Sequence, residues 1–407
     1  MKRIALIADS HFAEHNRFDE CVRIHDWIAD DIIKRDVELV LHAGDVFDRK
    51  STSRERYEVG KWIAKITNWC PMVIVRGNHD HPGDLKNYSN PEFRLQTDKP
   101  LVIEEAAGVH HIGGCLVAAV SWPRKAEILA SIGEPVSAEE SSQVAQAELK
   151  KLFYGLGIKM DSSDNTWDND APRILLMHAM VRGSVTSTGQ PIVGADMEVA
   201  FDDFQPANCS AYLLGHIHKP QDWEMIDGAP VIYPGSPRRT TFGESEEKDY
   251  VILDFEGGKL VNWERVTTPC TPMLLIDAQY CKDAIGSYGE STWTGLFFHE
   301  DVPIESLKGA EIRLRYQVEE GLRVEAKKEA ERIAQQYMDA GAVFVKLDED
   351  VIHTTRVRAS QLAEAVTIDQ KLLAMWEFQG RTPKNGETEE LLAKIRLIEQ
   401  EVLANAV

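Results

Sequence analysis

Aspartate, asparagine and histidine side chains cluster at the ends of five short apolar runs. Ile4 to Ala8 ends in Asp9 and His11, Leu39 to Ala43 in Gly44, Asp45 and Asp48, and Met72 to Val75 in Gly77, Asn78, His79 and Asp80. Ile174 to Met177 ends in His178, and Tyr212 to Leu214 in Gly215, His216 and His218. Carboxylate, amide and imidazole groups are ligands for hard divalent cations such as Mn²⁺ or Mg²⁺. Two such ions held about 3.5–4 Å apart can clamp the entering and leaving oxygens of a phosphoester, and each lowers the pKa of bound water by several units. The pattern points to metal-assisted phosphoester hydrolysis at a centre assembled from several strand ends.

One carboxylate must bridge such a pair. Asp45 is the natural bridge, because Gly44 before it lets the backbone turn tightly at a strand end. Asp9, His11 and His218 would complete one site, and Asn78, His178 and His216 the other. His216 and His218 alternate along an extended segment, so dividing them between two ions is physically sensible. His79 is left without a metal; it would contact a phosphate oxygen and protonate or stabilise the departing alkoxide. Asp48 is expected to accept a hydrogen bond from His79 and hold its ring, with Asp80 the weaker candidate. Any one cluster has an ordinary explanation as a turn, a tight loop or a structural histidine, and it is their joint occurrence in compatible order that carries the metal reading. His15, His25, His42, His81, His110, His111, His299 and His353 lack such context and are expected at the surface or in packing, His81 being the nearest to an exception.

The elements that must position these residues follow from periodicity. Residues 1 to about 265 alternate strand-like runs with amphipathic segments, as in an α/β layered fold. Phe18, Val22, Ile24, Ile28 and Ile32 follow helical spacing after the first run, as do Tyr57 to Ile66 after the second. A helix is expected from Ser137 through Leu149 and Phe153, then a polar surface loop from Met160 to Asp170. Turn residues between Val231 and Val266 suggest antiparallel strands, and Thr267 to Pro272 make a domain boundary. Beyond it, Met273–Ile276, Ala310–Tyr316, a helix from about Val324 to Met338 and Val343–Leu347 read as a small α+β unit. From about Ser360 to Val407 two helices flank a turn containing Gly380, Pro383 and Gly386, and Leu391, Ile395, Ile398 and Val402 share one face of the second. That pair either packs on its own protein or offers an apolar face to a partner.

At 407 residues the chain is long for one core, and two or three domains are expected. A hydrophobic content of 43% supports a sizeable core, and no apolar stretch approaches the ~18 residues of a spanning helix. A soluble, untargeted, cytoplasmic protein without membrane association is the expectation. The six cysteines form no C-x-x-C pair and read as buried thiols. A formal net charge of −21 opposes general attraction to phosphate backbones, so binding to nucleic acid must rest on local basic patches, bound cations or a partner.

The set Asp9-Ser10-His11, Gly44-Asp45-Val46-Phe47-Asp48, Gly77-Asn78-His79-Asp80, His178 and Gly215-His216-Ile217-His218 resembles the calcineurin-like metallophosphoesterase superfamily. Within it the chain is similar to the SbcD-type nuclease subunits, on Ala8 to Phe12, His42 to Arg49 and the run Tyr233 to Glu244. The resemblance implies helices flanking two sheets over residues 1–268, a capping domain over 269–356 and a helical segment over 357–407 that docks on the coiled coil of an SbcC-like ATPase. It implies metal ligands at Asp9, His11, Asp45, Asn78, His178, His216 and His218, and a catalytic histidine at His79. It also implies a homodimer within a heterotetramer, processing DNA double-strand ends and hairpins.

Arg49, Lys50 and Arg54 directly follow the bridging cluster, Arg238 and Arg239 follow the last metal motif, and Arg17 lies near the first; all are candidate DNA phosphate contacts. No sequence-reading DNA motif is visible. The leading expectation is a Mn²⁺-dependent DNA exonuclease and endonuclease with two divalent ions. A phosphatase or small-molecule phosphodiesterase keeps the chemistry and changes the substrate, and a mainly architectural DNA-tethering protein is the third reading.

Overall fold

The computed structural model describes residues 1–89, 99–133, 136–137, 139–162, 170–187, 197–225, 227–285, 292–353, 367–378, 380 and 387–404. Two six-stranded sheets carry the site. The first runs, edge to edge, Lys259–Thr267, Asp249–Glu256, Lys2–Ile7, Leu39–His42, Met72–Val75 and Leu101–Glu104. The second runs Gln221–Glu224, Pro230–Tyr233, Ala211–Gly215, Arg173–His178, Cys115–Val120 and Ala107–Ile112.

Period-two alternation explains why both sheets are apolar on two faces. Ile4, Leu6, Leu41, Val73, Ile174, Leu176, Ala211 and Leu213 point between the sheets and form one core. Their neighbours Ala5, Ile7, Val40, Met72 and Ile74 point the other way, where they meet Cys21, Ile24 and Ile28 of the helix Phe18–Lys34 and Val59 and Ile63 of the helix Ser53–Thr67. Leu175, Met177, Tyr212 and Leu214 meet Leu149, Phe153 and Leu156 of the helix Ser141–Ser162. The result is helices flanking two facing sheets. Burying a Leu or Ile side chain contributes about 1.5–3 kcal/mol, so these three clusters dominate the stability of this part.

Strand direction matters most for the site. Lys2–Ile7 pairs in parallel with Leu39–His42, which pairs in parallel with Met72–Val75. Ala211–Gly215 pairs in parallel with Arg173–His178, with Gly215 opposite His178. The five clusters therefore leave their sheets at carboxyl ends. Thr52 starts the helix Ser53–Thr67 with a capping box, its side chain accepting from Glu55 N while Glu55 accepts from Thr52 N.

Several expected elements shift. Asp249–Glu256 and Lys259–Thr267 are antiparallel as expected; Pro230–Tyr233 lies in the other sheet, antiparallel to Gln221–Glu224 on one side and parallel to Ala211–Gly215 on the other. The helix expected from Ser137 spans Ser141–Ser162 and so occupies the first residues of the expected loop; residues 163–169 of that loop lie outside the described residues.

Met273–Ile285, Thr292–Phe298, Glu311–Glu319 and Phe344–Ile352 form a four-stranded sheet, accompanied by the helix Arg323–Asp339. Two helices follow, Ile368–Phe378 and Glu387–Ala404; residues 354–366 and the expected turn residues Pro383 and Gly386 lie outside the described residues. The chain divides into two compact units, one of residues 1–278, 298–315 and 330–348 and one of 279–297, 316–329 and 349–407. Among the described residues no helix is long and apolar enough to cross a membrane.

Candidate metal centre

All seven candidate ligands come together within the first unit. Ligand atoms of Asp9, His11 and His218 lie within 4.8 Å of one another, as do those of Asp45, His178 and His216. Asn78 joins the second group, its Oδ1 lying 2.9 Å from His178 Nε2 and 3.0 Å from His216 Nδ1. Asp45 Oδ2 faces both groups, 3.7 Å from His11 Nε2 and 3.3 Å from His178 Nε2. His11 Nε2 and His218 Nε2 approach to 3.0 Å. Converging carboxylate, amide and imidazole donors of this kind could hold two hard divalent cations sharing Asp45.

The backbone is bent to make this possible. Asp9, His11 and Asp45 have φ of 52°, 45° and 55°, in the left-handed region that costs an ordinary residue about 1–2 kcal/mol. Asp9 N donates to Gly44 O at 3.0 Å and His11 N to Asp45 O at 3.1 Å, fastening the two loops edge to edge. Gly77 is required for closeness, since a Cβ there would lie 2.1 Å from Asp45 Oδ1.

The imidazoles are oriented from behind. His178 Nδ1 donates to Ala43 O at 2.7 Å, His11 Nδ1 lies 3.1 Å from Asp48 Oδ1, and His218 Nδ1 lies 3.7 Å from Glu244 Oε1. Each contact directs Nε2 inward, where a bound cation would take the place of any proton on it, the usual support of a metal-binding histidine. The fully buried Lys248 is 2.5 Å from Glu244 and 2.8 Å from Glu246, so Glu244 is itself held.

Burial raises the Asp9 carboxyl above its ordinary range. Burial acts the same way on Asp45, but His178 outweighs it and holds that carboxyl far below the usual value. Burial opposes the His178 imidazolium, and Asp45 overcomes this to raise it to about 9. Burial takes His216 down to about 3, whereas at His218 it is overcome by Glu244, and the ring is raised. The site is thus a mixture of groups that keep and groups that shed protons, which a cation's charge would replace.

His79 is exposed at the mouth, its ring 5.0 Å from that of His11. Asp48 accepts from His79 as expected, through its backbone oxygen, 2.8 Å from His79 Nδ1, while its carboxylate lies 3.1 Å from His11 and 3.4 Å from His15. Asp80 is 1% exposed and accepts from Val46 N, Phe47 N and Gly77 N, so it shapes the loops. Beside His216 and His218 a cavity of about 350 Å³ is lined by Thr186, Ser187, Thr240, Thr241 and Glu244.

The basic residues divide. Arg49 and Lys50 are exposed beside Asp48, and Arg54 is exposed with its guanidinium 2.9 Å from Asp19 and 4.7 Å above the Phe18 ring. Arg17 is half-buried and pairs with Glu20 at 2.7 Å and Glu311 at 3.2 Å. Arg238 is corrected as a DNA contact: it is fully buried and donates to His11 O at 2.8 Å, beneath the metal loop. Arg239 directs its donors inward, to Glu244 O at 3.0 Å and Glu246 O at 2.7 Å.

Glu244 and Lys248 were missed as supporting residues. Glu244 stood at the end of the motif that begins at Tyr233, but only spatial proximity to His218 gives it a role. His25 and His42, expected as packing residues, are buried as such, yet both are hydrogen-bonded to Ser10 between two candidate ligands.

Residues 1–258 match the family model described as the calcineurin-like phosphoesterase superfamily domain. SbcD of the SbcCD nuclease of Bacillus subtilis (strain 168) is 26% identical over 285 residues, covering 65% of this chain and 69% of that protein. Its namesake from Escherichia coli (strain K12) is 26% identical over 283 residues, covering 66% of each. The DNA double-strand break repair protein Mre11 of Methanopyrus kandleri is 32% identical over 78 residues, 17% of each chain. A family match over the region that holds every candidate ligand, on a fold of two sheets flanked by helices, means that the chain belongs to the calcineurin-like phosphoesterase superfamily and is a phosphoester hydrolase.

Proposed function

We propose that this protein is a two-metal, Mn²⁺-dependent DNA nuclease, acting as exonuclease and endonuclease at double-strand ends and hairpins with an SbcC-like ATPase. The observation that carries the reading is the convergence of Asp9, His11 and His218 with Asp45, Asn78, His178 and His216 beneath an exposed His79. The similarity to SbcD of the SbcCD nucleases supports DNA as substrate and an ATPase as partner.

Two bound divalent cations would supply positive charge to the phosphate oxygens and a water of lowered pKa. The chain's own residues do the rest. Asp45 joins the two halves of the site, and its Oδ1 accepts from His79 N at 2.8 Å, fixing the loop that carries the catalytic histidine. With Nδ1–H spent on the Asp48 carbonyl, His79 presents Nε2 to a scissile phosphate, where in its doubly protonated form it donates to a non-bridging oxygen or protonates the departing alkoxide. Exposed Arg49, Lys50 and Arg54 then hold the flanking backbone without reading bases.

The reading assigns residues 1–268 to the nuclease domain, 269–356 to a capping domain and 357–407 to ATPase docking, in a homodimer within a heterotetramer. Linear duplex DNA and bis(p-nitrophenyl) phosphate, offered in parallel with Mn²⁺, test it. Shortening of the DNA supports the nuclease; cleavage of the ester alone, even with an SbcC-like ATPase added, would move the function to a small-molecule phosphodiesterase.

A further inference from the structure

Behind the loop that carries Asp9 and His11 runs a chain of buried polar groups with no place in the reaction. Gly44 N donates to His42 Nδ1 at 3.2 Å, which leaves the ring proton on Nε2, 2.8 Å from Ser10 Oγ. At the far end His25 Nδ1 lies 2.8 Å from Cys21 O, an oxygen that can only accept. His25 therefore carries its proton on Nδ1 and accepts at Nε2, 2.7 Å from Ser10 Oγ. Ser10 must donate to His25 and accept from His42, so the chain runs one way, from Gly44 through His42, Ser10 and His25 to Cys21. Ser10, His25 and His42 are each 0% exposed. Trp62 stands edge-on to both rings, 5.1 Å from His25 and 5.8 Å from His42, and Phe12 lies 4.4 Å from His25.

The ends of this chain are informative. Gly44 precedes Asp45, Ser10 stands between Asp9 and His11, and Cys21 and His25 sit on the helix Phe18–Lys34. The left-handed backbone at Asp9, His11 and Asp45 is sustained only where the surroundings over-determine it. Backbone hydrogen bonds fasten the two loops along one edge, and the polar chain fastens them again from behind and anchors both to the helix.

We propose that Ser10, His25 and His42 are positioning residues of the metal centre, which set the placement of Asp9 and His11 relative to Asp45. This rests on the assignment of those three residues as ligands. None of the positioning residues touches substrate. Their effect is on how the two ions are held.

Mn²⁺ alone is the probe, titrated into the full-length protein and read by calorimetry and by electron paramagnetic resonance. The unmodified protein gives two bound ions with an exchange-coupled spectrum. His25→Phe, which removes the far end of the chain and alters no ligand, weakens one ion by about tenfold, the lower end for lost outer support, and yields the spectrum of isolated Mn²⁺. His25→Gln, whose amide can donate to Cys21 O and accept from Ser10, restores the coupled spectrum. Ile28→Val, a core change on the same helix, lowers the melting temperature and leaves the coupled spectrum intact. If His25→Phe does not fold, Ser10→Ala carries the same expectation. A coupled spectrum and unchanged affinity in His25→Phe or Ser10→Ala would overturn the proposal, as would an equal loss in Ile28→Val. No Mn²⁺ binding by the unmodified protein would overturn the ligand assignment and this inference with it.

Discussion

His79 is held by the main chain of Asp48, with Nδ1 2.8 Å from the backbone oxygen, while the Asp48 carboxylate lies 3.1 Å from His11 Nδ1. One residue thus supports two others by different groups, the catalytic candidate through its carbonyl and a metal-ligand candidate through its side chain. Asp48→Asn separates the two, because it keeps the carbonyl and removes the charge. Mn²⁺ affinity should fall about 10- to 100-fold, with kcat at saturating Mn²⁺ little changed. A large loss of kcat at full metal occupancy would instead return the carboxylate to His79.

Asp45→Ala removes the carboxylate that faces both halves of the site. Fewer than two Mn²⁺ per chain are expected by elemental analysis after gel filtration. Two retained ions would mean that Asp45 is not the shared ligand.

Acid should destabilise the protein partly through His25 and His42, whose buried rings are each taken down to about 3 by burial. Between about pH 6.5 and pH 3 the unfolded chain binds protons at these positions and the folded chain does not. Their contribution is therefore complete above about pH 6.5 and is lost as pH falls toward 3. Urea unfolding across that window should give a shallower pH slope in His25→Phe than in the unmodified protein; identical slopes would show that His25 is not held neutral.

Removing residues from Ser360 onward should leave Mn²⁺ binding and basal hydrolysis intact and abolish association with an SbcC-like ATPase. Size-exclusion chromatography of the mixed proteins reads this directly. Co-elution of the shortened chain would contradict the docking role of the two C-terminal helices.

The site was legible in the sequence because parallel strands release their ligands at the same end, so Asp9, Asp45 and Asn78, each following an apolar run, had to emerge as neighbours. The layered fold was legible for a related reason: helical spacing at Phe18 to Ile32 and at Tyr57 to Ile66 marked the elements that cover the first sheet. What was not legible depends on directions that spacing does not encode. Nothing in the sequence says whether Asp48 meets His79 with its carboxylate or its carbonyl, or that Arg238 points inward to His11 O at 2.8 Å rather than out to solvent. The sheet that Pro230–Tyr233 joins was not legible, because turn residues signal a reversal without naming the partner strand, and its register beside Tyr212 and Leu213 is a long-range pairing. Ser10, His25 and His42 come from separate elements and meet only once the helix Phe18–Lys34 docks on the sheet.

The most direct test of the central claim is hydrolysis of end-labelled linear duplex DNA with Mn²⁺ by the unmodified protein and by His79→Gln, with metal content measured on both. Shortening of the DNA by the unmodified protein, and its loss in a variant that still holds two Mn²⁺, is the predicted result. Undiminished cleavage by the fully loaded His79→Gln would contradict the role of His79 in phosphodiester hydrolysis.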